Sequence, residues 1–277
     1  MTFLAWLAAQ LPLRVLQAIG GFLGMIVVRR PGRYTKRLRE NYRNAFPQAT
    51  EEDFLEAGRA AGRMALELPF FWIRRDPLAG LPDPFEGMWP TLHRLHAQGK
   101  GLILMSPHLG CFEATPFACT RHYPATVLYK PPHNPKFRAW LEKIRTRPNL
   151  TMAPAEPRGV RMLVKALRHG EMIGILPDQT PPGGEGVWAP YFGRPAYTMT
   201  LLHGLQRLSG APILLLGMER LPHGKGYRGL MREISTPLPQ DPTEATTLLN
   251  KAMEDMIALV PSQYLWGYNR YKHPQGA

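Results

Sequence analysis

Residues 101–108 read GLILMSPH, and residues 171–179 read EMIGILPDQ. Each is a short aliphatic run that stops on a polar cluster, Ser106-Pro107-His108 in one and Asp178-Gln179 in the other. A short continuous apolar run bounded by turn residues fits a strand buried on both faces. Working outward, TVLYK (126–130), LTMAPA (150–155) and APILLLGMER (211–220) repeat the pattern. Between them lie NPKFRAWLEKIRTR (134–147), PRGVRMLVKALRHG (157–170) and YTMTLLHGLQRLSG (197–210), which read as helices. Strands alternating with helices predict an α/β fold with a mostly parallel central sheet flanked by helices. YRGLMREI (227–234) adds a hairpin strand across the loop LPHGKG, and EATTLLNKAMEDMIALV (244–260) reads as the last helix. Upstream, residues 52–73 and 85–100 read as two further helices, the second stopping at Gly99-Lys100-Gly101. No repeat or second globular unit is visible, so one domain is expected over residues 31–277. In open α/β sheets the chemistry sits outside the carboxyl ends of the strands. Both polar clusters fall there.

The first 28 residues, MTFLAWLAAQLPLRVLQAIGGFLGMIVV, carry one charge, Arg14. The uncharged run Val15–Val28 spans about 21 Å as a helix, short of a hydrocarbon core of about 30 Å. A basic cluster follows, RRPGRYTKRLRENYR (29–43), with Glu40 its only acid. Basic residues beside an apolar segment favour the cytoplasmic side and anionic lipid. Residues 1–30 are therefore expected to form an N-terminal hydrophobic membrane anchor, with the rest of the chain in the cytoplasm; the alternative is a buried helix pair. The net charge of +13 points to an anionic membrane or an acidic partner. Nucleic acid is disfavoured, because basic and aromatic residues interleave only in the tail QYLWGYNRYKHP (263–274). The two cysteines, Cys111 and Cys119, cannot build a disulfide framework or a four-cysteine metal site.

In the segment His108-Leu-Gly-Cys-Phe-Glu113, a histidine and an acid meet if His108 lies in the turn leaving the strand and Glu113 in the first helical turn. The acid then accepts from one ring nitrogen, and the other nitrogen becomes a base facing the cleft. Such a dyad has no nucleophile of its own and must activate a substrate hydroxyl or water. A structural His–Glu contact is an equally weighted reading of the spacing.

The set LPLRVLQAIGGFLG, RENYRNAFP, HLGCFE, YKPPHNP, PDQTPPGGEGVWAPYFGRPAYT and QYLWGYNRYK, in this order along nearly the whole chain, resembles the bacterial lipid A late acyltransferases and their relatives. The resemblance implies a glycerolipid-acyltransferase-like fold at the cell inner membrane. It implies transfer of an acyl group from an acyl carrier protein or acyl-CoA to a hydroxyl of a glycolipid or lysolipid. It also implies His108 as general base and Glu113 as its partner. The acyl thioester is a co-substrate, and no cofactor or metal is expected. Lys130 is the counterpart of a family arginine, and this departure weakens bidentate phosphate binding, since lysine is a point charge.

Asn134 is a substrate-binding candidate or a helix N-cap. Arg147, or Arg145, is a candidate phosphate contact or a solvated helix residue. Asp178 and Gln179 are candidates for orienting a cation or an acceptor hydroxyl, or for capping the loop TPPGGEGV. Arg194 and Thr198 are placed at a helix start, where an anion binds. Cys111 as a nucleophile ranks below a small apolar filler. A lipid hydrolase using the same dyad on water, and a non-catalytic membrane scaffold, are the competing functions.

Overall fold

The apolar runs become strands buried on both faces, and helices cover them. The structure is a computed structural model that describes residues 2–276. Met1 and Ala277, the outer ends of the two expected segments, lie outside the described residues. Helices α1 (Thr2–Gln10), α2 (Leu13–Arg29), α3 (Arg33–Ala45), α4 (Glu51–Ile73) and α5 (Trp89–His96) come first. Then follow β1 (Leu102–Met105), α6 (Ala114–Cys119), β2 (Ala125–Tyr129), α7 (Pro135–Arg145), β3 (Leu150–Pro154), α8 (Pro157–Arg168) and β4 (Met172–Ile175). The last third holds β5 (Gly186–Tyr191), β6 (Arg194–Met199), α9 (Leu201–Ser209), β7 (Ile213–Arg220), β8 (Tyr227–Ile234) and α10 (Pro242–Ile257).

Six strands form one sheet in the order β3-β2-β4-β1-β7-β8, parallel except for the edge strand β8. The α/β expectation holds, including the hairpin strand after LPHGKG. Strand residues alternate between two cores. Leu102, Leu104, Met172 and Leu214 pack with Phe70 and Phe71 of α4. Ile103, Met105, Ile173 and Ile175 pack with α8, α9 and α10.

One expected element is different. The stretch 197–210 is not a single helix: residues through Met199 form β6, which pairs antiparallel with β5, and the helix begins at Leu201. Arg194 and Thr198 are therefore strand residues, not helix-start residues. Thr198 is buried against Arg270, and the exposed Arg194 stacks over Tyr271 at 4.0 Å.

The expected N-terminal anchor is not supported as a membrane-spanning segment. No helix among the described residues is long and apolar enough to cross a membrane. Instead α2 lies along α4 through glycines. A Cβ on Gly24 would run into the carbonyl of Gly58, and one on Gly62 into the carbonyl of Gly20. Close backbone approach of this kind admits only glycine. Gln17 on the same face donates to Glu67 of α4 at 2.8 Å, so the polar residue within the uncharged run Val15–Val28 has a partner inside the protein.

Substituting Gly24→Val should force the two helices apart and cost about 1–3 kcal/mol, seen as a lower midpoint in chemical denaturation. Gly204→Ala, on an exposed helix position facing open space, should leave the midpoint unchanged or raise it.

Candidate functional site

Strands β1 and β4 are neighbours, with Met105 opposite Ile175. Three residues beyond this last pair, each chain places a polar side chain at the same height: His108 and Asp178. The Asp178 carboxylate accepts from the His108 backbone N–H at 2.9 Å, and its other oxygen lies 2.7 Å from His108 Nδ1. Asp178 is only 2% exposed. Burial alone favours its neutral form, but the contacts with His108 and the charge of Arg270 outweigh it and hold the carboxyl below its ordinary value. An ionised acceptor requires the proton on Nδ1, which leaves the Nε2 lone pair directed into the cleft. There the Gln179 side-chain amide lies 3.2 Å from Nε2.

The turn that carries His108 is held from three sides. Gly110 adopts φ +62, and a Cβ there would collide with the Met218 carbonyl. Cys111 N–H donates to that same carbonyl at 2.8 Å, and Gly110 N–H donates to the carbonyl of Gln263 at 2.9 Å. From the tail, Leu265 N–H donates to the His108 carbonyl at 3.2 Å. Beneath the turn runs a buried ion pair, Arg220 with Glu67, at 2.8 Å and 2.5 Å, and Arg220 reaches the Gly110 carbonyl at 3.3 Å.

Glu113 makes a different set of contacts from the one expected. It accepts from Arg145 Nη2 at 2.7 and 2.9 Å and from the Trp72 indole at 3.0 Å. The ring partner of His108 is Asp178, not Glu113. Glu113 nevertheless lines one cavity of about 860 Å³ with His108, Gln179, Lys130 and Arg145, while Asp178 lies buried behind the imidazole. Its remaining wall is largely apolar, from Leu68, Leu104, Val127, Gly174 and Leu216 to Val160 and Leu201. A base beside a deep apolar cavity with cations near it suits chemistry on the polar end of a long hydrocarbon chain.

A family model described as bacterial lipid A biosynthesis acyltransferase matches residues 1–273. The chain belongs to this family. Its similarity to individual members runs nearly end to end. It is 29% identical over 279 residues to the lipid A biosynthesis lauroyltransferase of Escherichia coli (strain K12), covering 98% of this chain and 90% of that protein. It is 29% identical over 272 residues to the lipid A biosynthesis palmitoleoyltransferase of the same strain, covering 96% and 88%. A Haemophilus influenzae lipid A biosynthesis acyltransferase is 24% identical over 276 residues, covering 95% and 84%. The protein is thus an acyltransferase.

The acyltransferase sorts the other expected site residues into three groups. Lys130 lines the cavity and is exposed. Asn134 is the N-cap of α7: its Oδ1 accepts from the backbone of Lys136 at 3.0 Å and Phe137 at 3.1 Å, so the capping alternative holds. Arg147 ties down the end of α4 by donating to the carbonyls of Trp72 at 2.8 Å and Arg74 at 3.1 Å. That leaves Arg145 as the arginine facing the cavity. Burial, reinforced by Glu67, pushes the Cys111 thiol well above its usual value, so Cys111 is no nucleophile. In the tail, Tyr264 and Trp266 are core residues, while Tyr268 and Lys272 reach the cavity.

The Glu67–Arg220 pair was not among the residues singled out in the sequence. Only Glu67 carried a local signal, as an acid inside the apolar stretch MALELPFF. The lowered carboxyl of Asp178 sets an acid-side prediction. Its contribution to stability is full above the ordinary carboxylate range and is lost as pH falls through its lowered value. The melting temperature of wild type should therefore drop on acidification more steeply than that of Asp178→Asn.

Proposed function

We propose that His108 takes the proton from a hydroxyl of a lipid A precursor as that oxygen attacks an acyl thioester carried by acyl carrier protein. The observation that carries this reading is the His108–Asp178 pair at the head of an apolar cavity. As the new C–O bond forms, the hydroxyl proton passes to Nε2 and Asp178 stabilises the imidazolium. When the C–S bond breaks, the departing thiolate takes that proton, so the enzyme ends as it began. Positioned general-base catalysis of this kind supplies roughly 10²–10⁴-fold. The thioester is already activated, so the reaction calls for no metal or cofactor.

Gln179 supports the reading from the other side of the ring. Its amide holds the Nε2 lone pair in place until an acceptor hydroxyl displaces it. Glu113 then acts on Arg145 rather than on the imidazole. It engages only Nη2 of the guanidinium, and the other nitrogens remain to meet an anion. Arg145, Lys130 and Lys272 together form a cationic rim suited to a phosphorylated acceptor or the phosphate of a carrier's prosthetic arm.

We assign the enzyme to the cytoplasmic face of the inner membrane, held at the interface rather than spanning it. Val15, Ile19, Phe22 and Val27 form an exposed apolar face on α2, opposite the face that packs on α4. Exposed Arg29, Arg30, Arg33 and Lys36 follow at its end. An apolar helix face with cations beside it favours docking on anionic lipid.

The deciding assay is acyl transfer from labelled acyl carrier protein onto a lipid extract containing lipid A precursors, with mass analysis of the products. Wild type should yield an acylated lipid, and His108→Ala and Asp178→Asn should each lose about 10² or more of the rate. Release of free fatty acid alone, whatever the acceptor, would assign the same residues to hydrolysis; equal activity in His108→Ala would remove them from the chemistry. Separately, Ile19→Asp combined with Phe22→Asp should abolish co-sedimentation with anionic vesicles while leaving the melting temperature within a few degrees.

A further inference from the structure

Glycine inside a fully buried strand is costly, because it gives up side-chain packing and retains excess freedom when unfolded. Gly174 occupies that position in β4, between two aliphatic neighbours. In register across three strands it faces Val127 of β2 on one side and Leu104 of β1 on the other. On the same face the residues one step toward the amino ends, Leu102 and Met172, are 0% exposed, whereas Leu104 is 6% and Val127 8% exposed. The sheet is therefore closed over Leu102 and Met172, and the cavity reaches that level only at Ala125 of β2. The level of Leu104, Val127 and Gly174 is the floor of the apolar lobe of the cavity, which continues to Leu216 under α4 and α6 and leads upward to His108.

A Cβ built on Gly174 meets Val127 Cγ2 at 3.0 Å, and its three nearest atoms all belong to that one side chain. No backbone group stands among them, and Gly174 is absent from the positive-φ glycines. Turn geometry does not demand a glycine here, and the one close neighbour is the Val127 side chain, which must give way slightly to a Cβ. What its absent side chain provides is space in the lobe.

Resting on the acyl-transfer reading above, we propose that Gly174 sets the length of acyl chain the enzyme accepts. The chain descends from the thioester at His108, and its methyl end lies over Gly174 between Leu104 and Val127. A larger residue at 174 raises the floor and selects shorter chains. A smaller residue at 104 lowers it and admits longer ones.

The test uses full-length wild type, Gly174→Val, Gly174→Ala and Leu104→Ala. Each is melted with decanoic, lauric, myristic and palmitic acids, and each is assayed for transfer of the same acyl groups from acyl carrier protein. Gly174→Val should move the longest chain that raises the melting temperature, and the longest that transfers, down by at least one member of the series. Discrimination against the chain lost should be about 10-fold or more. Leu104→Ala should move both limits up. Gly174→Ala adds one methyl against a side chain that can yield, so it keeps the test available if the valine variant fails to fold, and it shifts the limit in the same direction by less. Unchanged chain profiles in the glycine and leucine variants overturn the proposal, as does a wild type that no fatty acid stabilises in a length-dependent way. Graded fatty-acid binding without acyl transfer leaves the lobe assignment standing and removes the transfer reading. Transfer with an unaltered chain profile does the reverse.

Discussion

The buried pair of Glu67 and Arg220 is the contact on which most of the architecture converges. Glu67 comes from α4 and Arg220 from the end of β7, and both are almost wholly buried. Removing two charges from water costs several kcal/mol each, which mutual attraction offsets only when the remaining donors and acceptors are also satisfied. Here they are. Gln17 of α2 and the Tyr227 hydroxyl of β8 donate to Glu67, and Arg220 reaches the Gly110 carbonyl. Burial alone would favour a neutral arginine, but Glu67 outweighs it and holds the guanidinium charged. The pair therefore joins the N-terminal helices, the sheet edge and the turn that carries His108. Loss of one partner would leave an uncompensated charge in the core, a cost of about 3–5 kcal/mol.

That anchorage explains why an active site can rest on so short a loop. The amides and carbonyls of the His108 turn are held by Asp178, Met218, Gln263 and Leu265. With the backbone fixed, the two acids take different tasks. Asp178 is buried beside the imidazole and sets its tautomer. Glu113 holds a guanidinium against Trp72, with the arginine 5.6 Å from the ring centroid. Two carboxylates on one histidine would repel each other and drive one of them to protonate. Dividing them between a histidine and an arginine avoids that conflict.

The sheet was legible in the sequence because each central strand is an aliphatic run ended by proline, glycine or a polar residue. The β5–β6 hairpin was not, because YTMT passes into LLHGLQRLS with no breaker at Thr200, so strand and helix merge into one periodic stretch. The N-terminus misled for a related reason. Apolar composition suits a lipid-facing helix and a protein-facing one equally, and the distinguishing feature, Gly20 and Gly24 meeting Gly58 and Gly62, depends on a partner some forty residues away. The site divides the same way. His108 and Asp178 each stood out at a strand end. Their pairing followed from β1 lying beside β4, and sequence spacing instead favoured the nearer acid, Glu113. Asn134 looked the same as a cap or a ligand until its oxygen was seen bonded to the start of α7.

One strand, β4, then serves both ends of the substrate. Asp178 follows its carboxyl end and orients the base, and Gly174 in its middle leaves room in the apolar lobe. Strands at the centre of a parallel sheet are the most rigidly placed elements of such a fold, and sites built on them hold geometry better than sites on loops. Both features lie on β4 and the turn that leaves it, so their separation is set by one short backbone segment. On the proposed reaction, stopping a flexible hydrocarbon with its thioester carbon at one height needs a floor fixed relative to His108. Residues 174–178 carry Gly174 and the carboxylate that holds His108.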